Sequence, residues 1–457
     1  MKQGLWNLIA VVFCLTAVTQ EFAFASEKWT VKGKIMVQHV LPELTQVFGG
    51  NGGVAGITVK VSARSKIPLG WGTWNSWGKL PTRTDGSFEV SEKHASDRRQ
   101  FKVEILFDSD KLRIKEGQET AIIKFDSKGF PLDLDFDLTD KDWHEVHNDK
   151  DGPADDGRKA GVINLGDIFI KRTVVKKHAD VWMLYHKVFN AFAGYGSEYA
   201  FKKKVALKYP MKLGSISYAN PLNNNLYIDE HWFDSNTLIH ELMHVWVYER
   251  STGEDSMVWQ AIKHGHTHQD RENTTLVAFQ EGFTEWSTYK ILKEITDGKV
   301  TQFDSYLYKY PDHPLTRNYI GEALGNDERV LANVDYTERG WHSLFNILTF
   351  PYLDRVDFNK PLTVIGTSGK VETHEKFAFV SLFTSCADKR LGYTLKDILG
   401  VFLKYPTKGI TAYMGTRDMN FRNFLDRAGA ILAGFEKEKI KQVKLYLSPN
   451  RVDNPCT

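Results

Sequence analysis

The chain is predicted to be an α+β multidomain protein, with an N-terminal β-sandwich followed by a mainly α-helical domain. Three observations predict this. Its 457 residues exceed what one core of ordinary size organises. Residues 28–172 place apolar side chains at the two-residue period of strands, with no helical period between them. From 176 to 457 the pattern changes to that of helices.

In the first stretch, 31–37, 56–62, 88–90, 101–107, 121–125 and 162–170 read as strands. Gly- and Asp-rich turns separate them, and Asp85-Gly86 has the composition of a tight hairpin. The run from Asp149 to Gly157 offers carboxylates that suit calcium. Pro153 and Ala154 stand where an EF-hand loop needs a ligand and a glycine, so a solvated loop is the better reading. Three motifs stand out: Val54-Ala-Gly-Ile-Thr-Val-Lys-Val61, Thr84-Asp-Gly-Ser-Phe-Glu-Val90 and Leu165-Gly-Asp-Ile-Phe-Ile170. Through them the stretch resembles the transthyretin-like, carboxypeptidase regulatory-like domain. The resemblance implies a β-sandwich with extra strands or a large loop, because the stretch is longer than that family needs.

In the second stretch helices are expected at 179–193, 235–250, 275–296, 338–349, 374–388, 394–404 and 419–434. Thr394 and Asp397 form a capping box. Residues 218–228 read as two short strands about an Asn-rich turn.

A formal net charge of +2 carries no basic bias, which argues against a nucleic-acid or acidic-membrane partner. After Lys2, an apolar stretch from Leu5 to Val18 and the small-x-small run Ala23-Phe24-Ala25 read as a secretory signal peptide over 1–25. An uncleaved anchor is the alternative. The expectation is export to a periplasm or out of the cell, with no integral membrane span after cleavage, since no later segment is long enough. Cleavage removes Cys14 and leaves Cys386 and Cys456. These pair in an oxidising compartment if their sulfurs meet, and are otherwise two free thiols.

The chemistry lies in His240-Glu241-Leu242-Met243-His244, an HExxH pattern. Residues four apart share a helix face, so both imidazoles reach one ion. Glu241 projects beside them, placed to take a proton from the attacking water. Asp234 and Ser235 are plausible caps. A catalytic zinc needs a third protein ligand. Val247 and Arg250 occupy the positions where metzincins carry Gly and His, so that pattern fails. His264, His266 and His268 lie in a run without periodicity, read as a loop. Glu281, in Phe279-Gln-Glu-Gly-Phe-Thr-Glu-Trp286, lies on a following helix.

With Gln280-Glu281-Gly282-Phe283-Thr284 beside His240-Glu241-Leu242-Met243-His244, the chain resembles the gluzincin metallopeptidases of the aminopeptidase and thermolysin-like branch. That resemblance implies a zincin-like catalytic domain and Zn2+ held by His240, His244 and Glu281. It implies Glu241 as the catalytic base and a peptide or protein substrate. It also implies that Glu285 orients His240, with a surface carboxylate the alternative. Tyr336, in Tyr336-Thr-Glu-Arg-Gly340, matches the family's oxyanion-stabilising Tyr, with His342 in reserve; a core tyrosine is the alternative. Three departures stand out. Thirty-six residues separate His244 from Glu281, more than relatives use, and the Tyr336 motif is one residue longer with Arg339 in place of Lys. The motif that grips a substrate amino terminus is absent, and 214–228 stands in its place as a strand able to pair with an extended peptide. Two other classes stay open: a binding or adhesion protein with a vestigial zinc site, and a zinc hydrolase acting on non-peptide bonds.

Overall fold

The structure is a computed structural model. It describes residues 27–67, 70, 71, 73, 75–94, 99–115, 120–126, 131–134, 161–170, 172–213, 217–220, 224–250, 275–298, 338–349, 362–365, 371–374, 383–386, 391–403, 421–442, 444, 445, 452 and 453. The expected leader 1–25, the carboxylate run 149–157, the histidine tract 264–268, Tyr336 and Cys456 lie outside the described residues.

Helices and sheets are both present, in two compact units. The first comprises Met1–Gln38, Asn51–Asp108 and Gln118–Ala179; the second comprises His39–Gly50, Ser109–Gly117 and Asp180–Thr457. The sequence suggested two consecutive blocks, 28–172 and 176–457. The units instead interleave, because two short pieces from the early chain bury their apolar side chains in the second unit.

The early chain runs through β1 (Glu27–Gln38), helix α1 (Pro42–Phe48), β2 (Asn51–Gly53), β3 (Thr58–Ile67), β4 (Gly70–Trp71) and β5 (Asn75–Pro81). It continues through β6 (Ser87–His94), β7 (Arg99–Leu106), β8 (Leu112–Lys115), β9 (Thr120–Asp126), β10 (Pro131–Leu134) and β11 (Gly161–Ile170). Helix α1 corrects the expectation of an all-strand stretch. Pro42 starts it, and seven residues are too few to show a helical period.

The first unit holds two sheets. One has the order β11-β1-β2 with β6 on β1; the other has β10-β9-β7-β3-β4 with β5 on β3. Alternation explains their cores. Val31, Ile35 and Val37 of β1, Val59 and Val61 of β3, and Val103 and Ile105 of β7 are all buried. In β11 one extra residue opposes β1 between Asn164 and Asp167, a bulge in which Gly166 takes φ 62°. The bulge resets the pleat, so Ile163, Leu165, Ile168 and Ile170 all stay buried. The Asp85-Gly86 turn is tight, with Gly86 N–H donating to the Arg83 carbonyl at 2.9 Å and φ at 86°. Arg83 N–H also donates to the Ser87 carbonyl at 2.8 Å, so the chain reverses tightly as expected, but the pairing stops there: β5 pairs with β3 and β6 with β1, in different sheets.

The second unit takes helix α2 (Thr173–Tyr195) from Asp180 onward, then β12 (Val205–Met211), β13 (Tyr218–Asn220), β14 (Asn225–Asp229) and helix α3 (Ser235–Tyr248). Helices α4 (Thr275–Ile295) and α5 (Glu338–Thr349) follow. Then come β15 (Leu362–Ile365), β16 (Val371–His374), β17 (Phe383–Ser385), α6 (Leu395–Leu403), α7 (Phe421–Ile431), β18 (Ile440–Gln442), β19 (Lys444–Leu445) and β20 (Val452–Asp453). Its main sheet has the order β13-β14-β12-β8, so the early strand β8 pairs in parallel with β12 and β13 forms the opposite edge. The two strands expected in 218–228 pair antiparallel, with Asn224 at φ 56° entering β14. The expected 374–388 helix is corrected. None of its described residues is helical: His374 pairs with Leu362, Phe383–Ser385 pair with β18, and Cys386 follows outside any element. For Phe383–Ser385 the strand partner, distant in sequence, decides the matter; residues 375–382 lie outside the described residues. The Thr394 capping box forms: Thr394 N–H donates to Asp397 at 2.8 Å, and Asp397 N–H to the Thr394 hydroxyl at 3.2 Å.

Cys386 is disulfide-bonded. The chain's other cysteines, Cys14 and Cys456, are outside the described residues, so the expected Cys386–Cys456 pairing falls there. No helix among the described residues is long and apolar enough to cross a membrane.

Candidate metal centre

The approach to α3 is fixed by a buried acid. Asp229, at the end of β14, accepts from Leu213 N–H at 2.7 Å, His231 N–H at 3.0 Å and His231 Nδ1 at 2.7 Å. The chain turns there and enters α3, whose N-cap is Asp234, accepting from Thr237 N–H at 2.9 Å. Ser235 donates to Glu43 of α1 at 2.7 Å. Leu238, Leu242, Met243, Val245 and Trp246 are all buried, which sets the helix's rotation.

The far end of α3 is clamped. Glu249 accepts from Lys202 N–H at 2.7 Å, Lys203 N–H at 2.9 Å and the Asn224 amide at 2.9 Å. Arg250 donates to the carbonyls of Glu198, Tyr199, Ala200 and Trp246 at 2.8 to 3.1 Å, with its guanidinium 4.0 Å over the Trp246 ring. Burial pulls Arg250 down to about 10, which leaves it charged at neutral pH.

Helix α4 packs on α3 and on α5. Its residues from Val277 to Tyr289 are all buried. Phe279, Phe283 and Trp286 lie against Trp341, Phe402 and Phe345, with ring centroids 4.8, 4.5 and 5.1 Å apart. This aromatic wall fixes which side of α4 meets α3, and the acid Glu281 is on that side.

There the three candidate ligands converge. His240 Nε2 and His244 Nε2 are 2.9 Å apart, and each lies 3.2 Å from Glu281 Oε2. Ligand atoms around a tetrahedral ion at bonds of 2.0–2.1 Å sit about 3.3 Å from one another. The observed spacing matches within a few tenths of an ångström. Two imidazole nitrogens and a carboxylate oxygen meet at one point, a donor set able to hold a metal ion. The His240 side chain is 23% exposed, against 6% and 7% for His244 and Glu281, so the approach from outside is on the His240 side. Among the described residues this is the one such group of His, Cys, Asp and Glu.

Glu241 lies between the two histidines on α3 and is buried. Burial, and next the Glu241 charge, pushes the Tyr185 hydroxyl well above its usual range; that hydroxyl donates to the Leu238 carbonyl at 2.8 Å. Glu285, one turn beyond Glu281, is also buried rather than solvent-facing. Two neighbours were not expected as site residues: Gln280, which entered only as the first residue of the Glu281 motif, and Tyr248, which carried no signal. The Gln280 Nε2 lies 2.8 Å from His244 Nδ1 and 2.8 Å from the Tyr248 hydroxyl. Their link to His244 exists only once α3 and α4 pack.

His342 stands on α5 and is buried. Burial, with a smaller push from the Lys290 charge, pulls it down to about 3. The unfolded chain takes this proton near ~6.5, and the folded chain only near 3. Acid therefore favours unfolding between those values. The wild type is expected to lose up to about 1.4 kcal/mol per pH unit across that window from this residue. Denaturant unfolding at a series of pH values should show a shallower acid limb for His342→Gln; equal slopes would refute this.

No family model and no curated protein matches the chain. Among solved structures, a 9R-lipoxygenase from Cyanothece PCC8801 is similar at 13% identity and a TM-score of 0.14, over 32% of this chain and 17% of that one. A likeness that low informs neither fold nor function.

Proposed function

We propose that the chain is an exported zinc-dependent peptidase, with His240, His244 and Glu281 holding the zinc and Glu241 moving the proton. The first unit is read as a β-sandwich of the transthyretin-like kind, and the second as a gluzincin-like catalytic domain. The observation that carries the reading is the convergence of His240 Nε2, His244 Nε2 and Glu281 Oε2 within 2.9 to 3.2 Å. Two imidazoles and one carboxylate suit zinc, and three protein ligands leave a coordination position open for catalysis.

When bound, zinc supplies Lewis acidity for polarising a scissile carbonyl and acidifying water. Glu241 accepts the proton of the attacking water and passes it to the leaving amine. Its burial keeps that carboxylate away from competing solvent. Glu285 orients His240, and Tyr336 or His342 donates to the oxyanion. The edge strand β13 offers backbone groups to an extended peptide, and α3 packs beside it. A disulfide at Cys386 suits an oxidising compartment, in keeping with export.

The test is metal analysis together with a peptide-library digest. One zinc per chain is expected, with cleavage that a chelator abolishes and added zinc restores. Protein free of zinc, or cleavage indifferent to chelator, would overturn the reading.

A further inference from the structure

We propose that Tyr218 is a specificity-determining residue that selects an aromatic side chain at one position of an extended peptide substrate. The inference rests on the peptidase reading above and deepens it, because it concerns which peptide lies along β13. Strand β13 is the edge of the main sheet of the second unit. Tyr218 stands opposite Tyr227 of β14, and Tyr227 stands beside Lys208 of β12. Side chains at such paired positions share one face of a sheet.

The three form a row. The Tyr218 and Tyr227 rings are stacked, with centroids 4.7 Å apart and planes 14° apart. The Lys208 ammonium lies 4.9 Å from the Tyr227 centroid. Lys208 and Tyr218 come from the strands on either side of β14, so they cover opposite faces of Tyr227. The row stops at Tyr218, which is 41% exposed and whose ring meets one ring among the described residues, that of Tyr227. Its other face looks past the edge of the sheet. Ala219 and Leu226, the next pair along, are buried on the opposite side of the sheet.

A peptide that adds a strand to β13 brings one side chain opposite Tyr218 on this same face. Paired side chains on neighbouring strands start about 4.5–5.5 Å apart, which is the spacing the two tyrosine rings already show. The peptide side chain therefore takes the next place in the row, against an open phenol face. A planar ring covers that face and removes the most apolar surface from water. Lys or Arg suits the place less, because the row already ends on the Lys208 ammonium. The flanking peptide residues turn to the other side of the sheet, so the pairing register sets the aromatic residue at a fixed distance from the cleaved bond.

The experiment is a peptide-library digest by the full chain, followed by kcat/KM for matched peptides with Phe or Ala at the enriched position. Wild type should enrich Phe, Tyr or Trp at one position and favour the Phe peptide by about 3–10-fold. Tyr218→Val suits a strand and has no ring, and should make the two peptides equal substrates. Tyr218→Phe keeps the ring and should keep the preference. Thermal melts are the folding control, and Tyr218→Leu takes the place of Tyr218→Val if that variant does not fold. A preference for Phe that survives loss of the ring overturns the proposal, as does its loss in Tyr218→Phe. So does a library that enriches Lys or Arg at that position. Wild type that cleaves no peptide overturns the peptidase reading and this inference with it. Wild type that cleaves peptides with no aromatic preference at a fixed position overturns only the inference.

Discussion

Glu241→Gln is expected to keep one zinc per chain while losing peptide hydrolysis by about 10³-fold. The substitution is nearly isosteric and sits in a buried position on α3, so it leaves the packing of Leu242 and Met243 intact. It removes the one carboxylate between the two histidines that the ligand set does not use. A companion, Glu281→Ala, is expected to fail one step earlier, because it deletes an atom 3.2 Å from both imidazole nitrogens. Loss of a ligand shows as lost zinc; loss of the base shows as zinc retained without turnover. Hydrolysis by Glu241→Gln at the wild-type rate would remove Glu241 from the mechanism.

A fragment covering 176–457, cut where the sequence changes period, is expected not to fold. It lacks α1 and β8, which belong to the second unit. Strand β8 supplies four paired positions against β12, with Leu112 and Ile114 fully buried. The stretch 39–41 supplies three donors to Asp180: His39 Nδ1 at 2.8 Å, Val40 N–H at 2.6 Å and Leu41 N–H at 2.8 Å. The Asp180 carboxylate is fully buried. Without those donors it is left uncompensated, at about 3–5 kcal/mol, or the first turns of α2 open to water. Lost burial of Leu44, Leu112 and Ile114 adds about 1.5–3 kcal/mol for each side chain. Together these rival the 5–15 kcal/mol that holds a typical domain folded. Glu43 goes as well, and with it the contact to Ser235 at the start of α3. The readout is cooperative thermal unfolding and zinc uptake, with the whole chain as control. A fragment that melts cooperatively and binds zinc would show that these early segments are dispensable.

Much of the site was legible in the sequence because its rules are local. The spacing of His240 and His244 is one helical turn, and Asp234 is a cap that needs only its own three-residue neighbourhood. Strands β1, β3, β6, β7, β9 and β11 of the first unit were legible from alternation, though β2, β4, β5 and β10 were not, and α2 to α5 were legible from runs long enough to show their period. What escaped was short or decided from a distance. Helix α1 is under two turns, and residues 383–385 are strand because Ile440–Gln442 pair with them.

By itself, then, the sequence picked out the candidate residues: two imidazoles a turn apart, the proposed base between them in the chain, and an acid on a later helix. Only the tertiary structure decided that Glu281 meets both rings, that Gln280 and Tyr248 enclose His244, and that β8 and α1 complete the second unit. The reason is physical. A helix period is set by backbone geometry within a few residues, whereas the meeting of residues 244 and 281 depends on how two apolar faces pack, and packing is a property of the whole core.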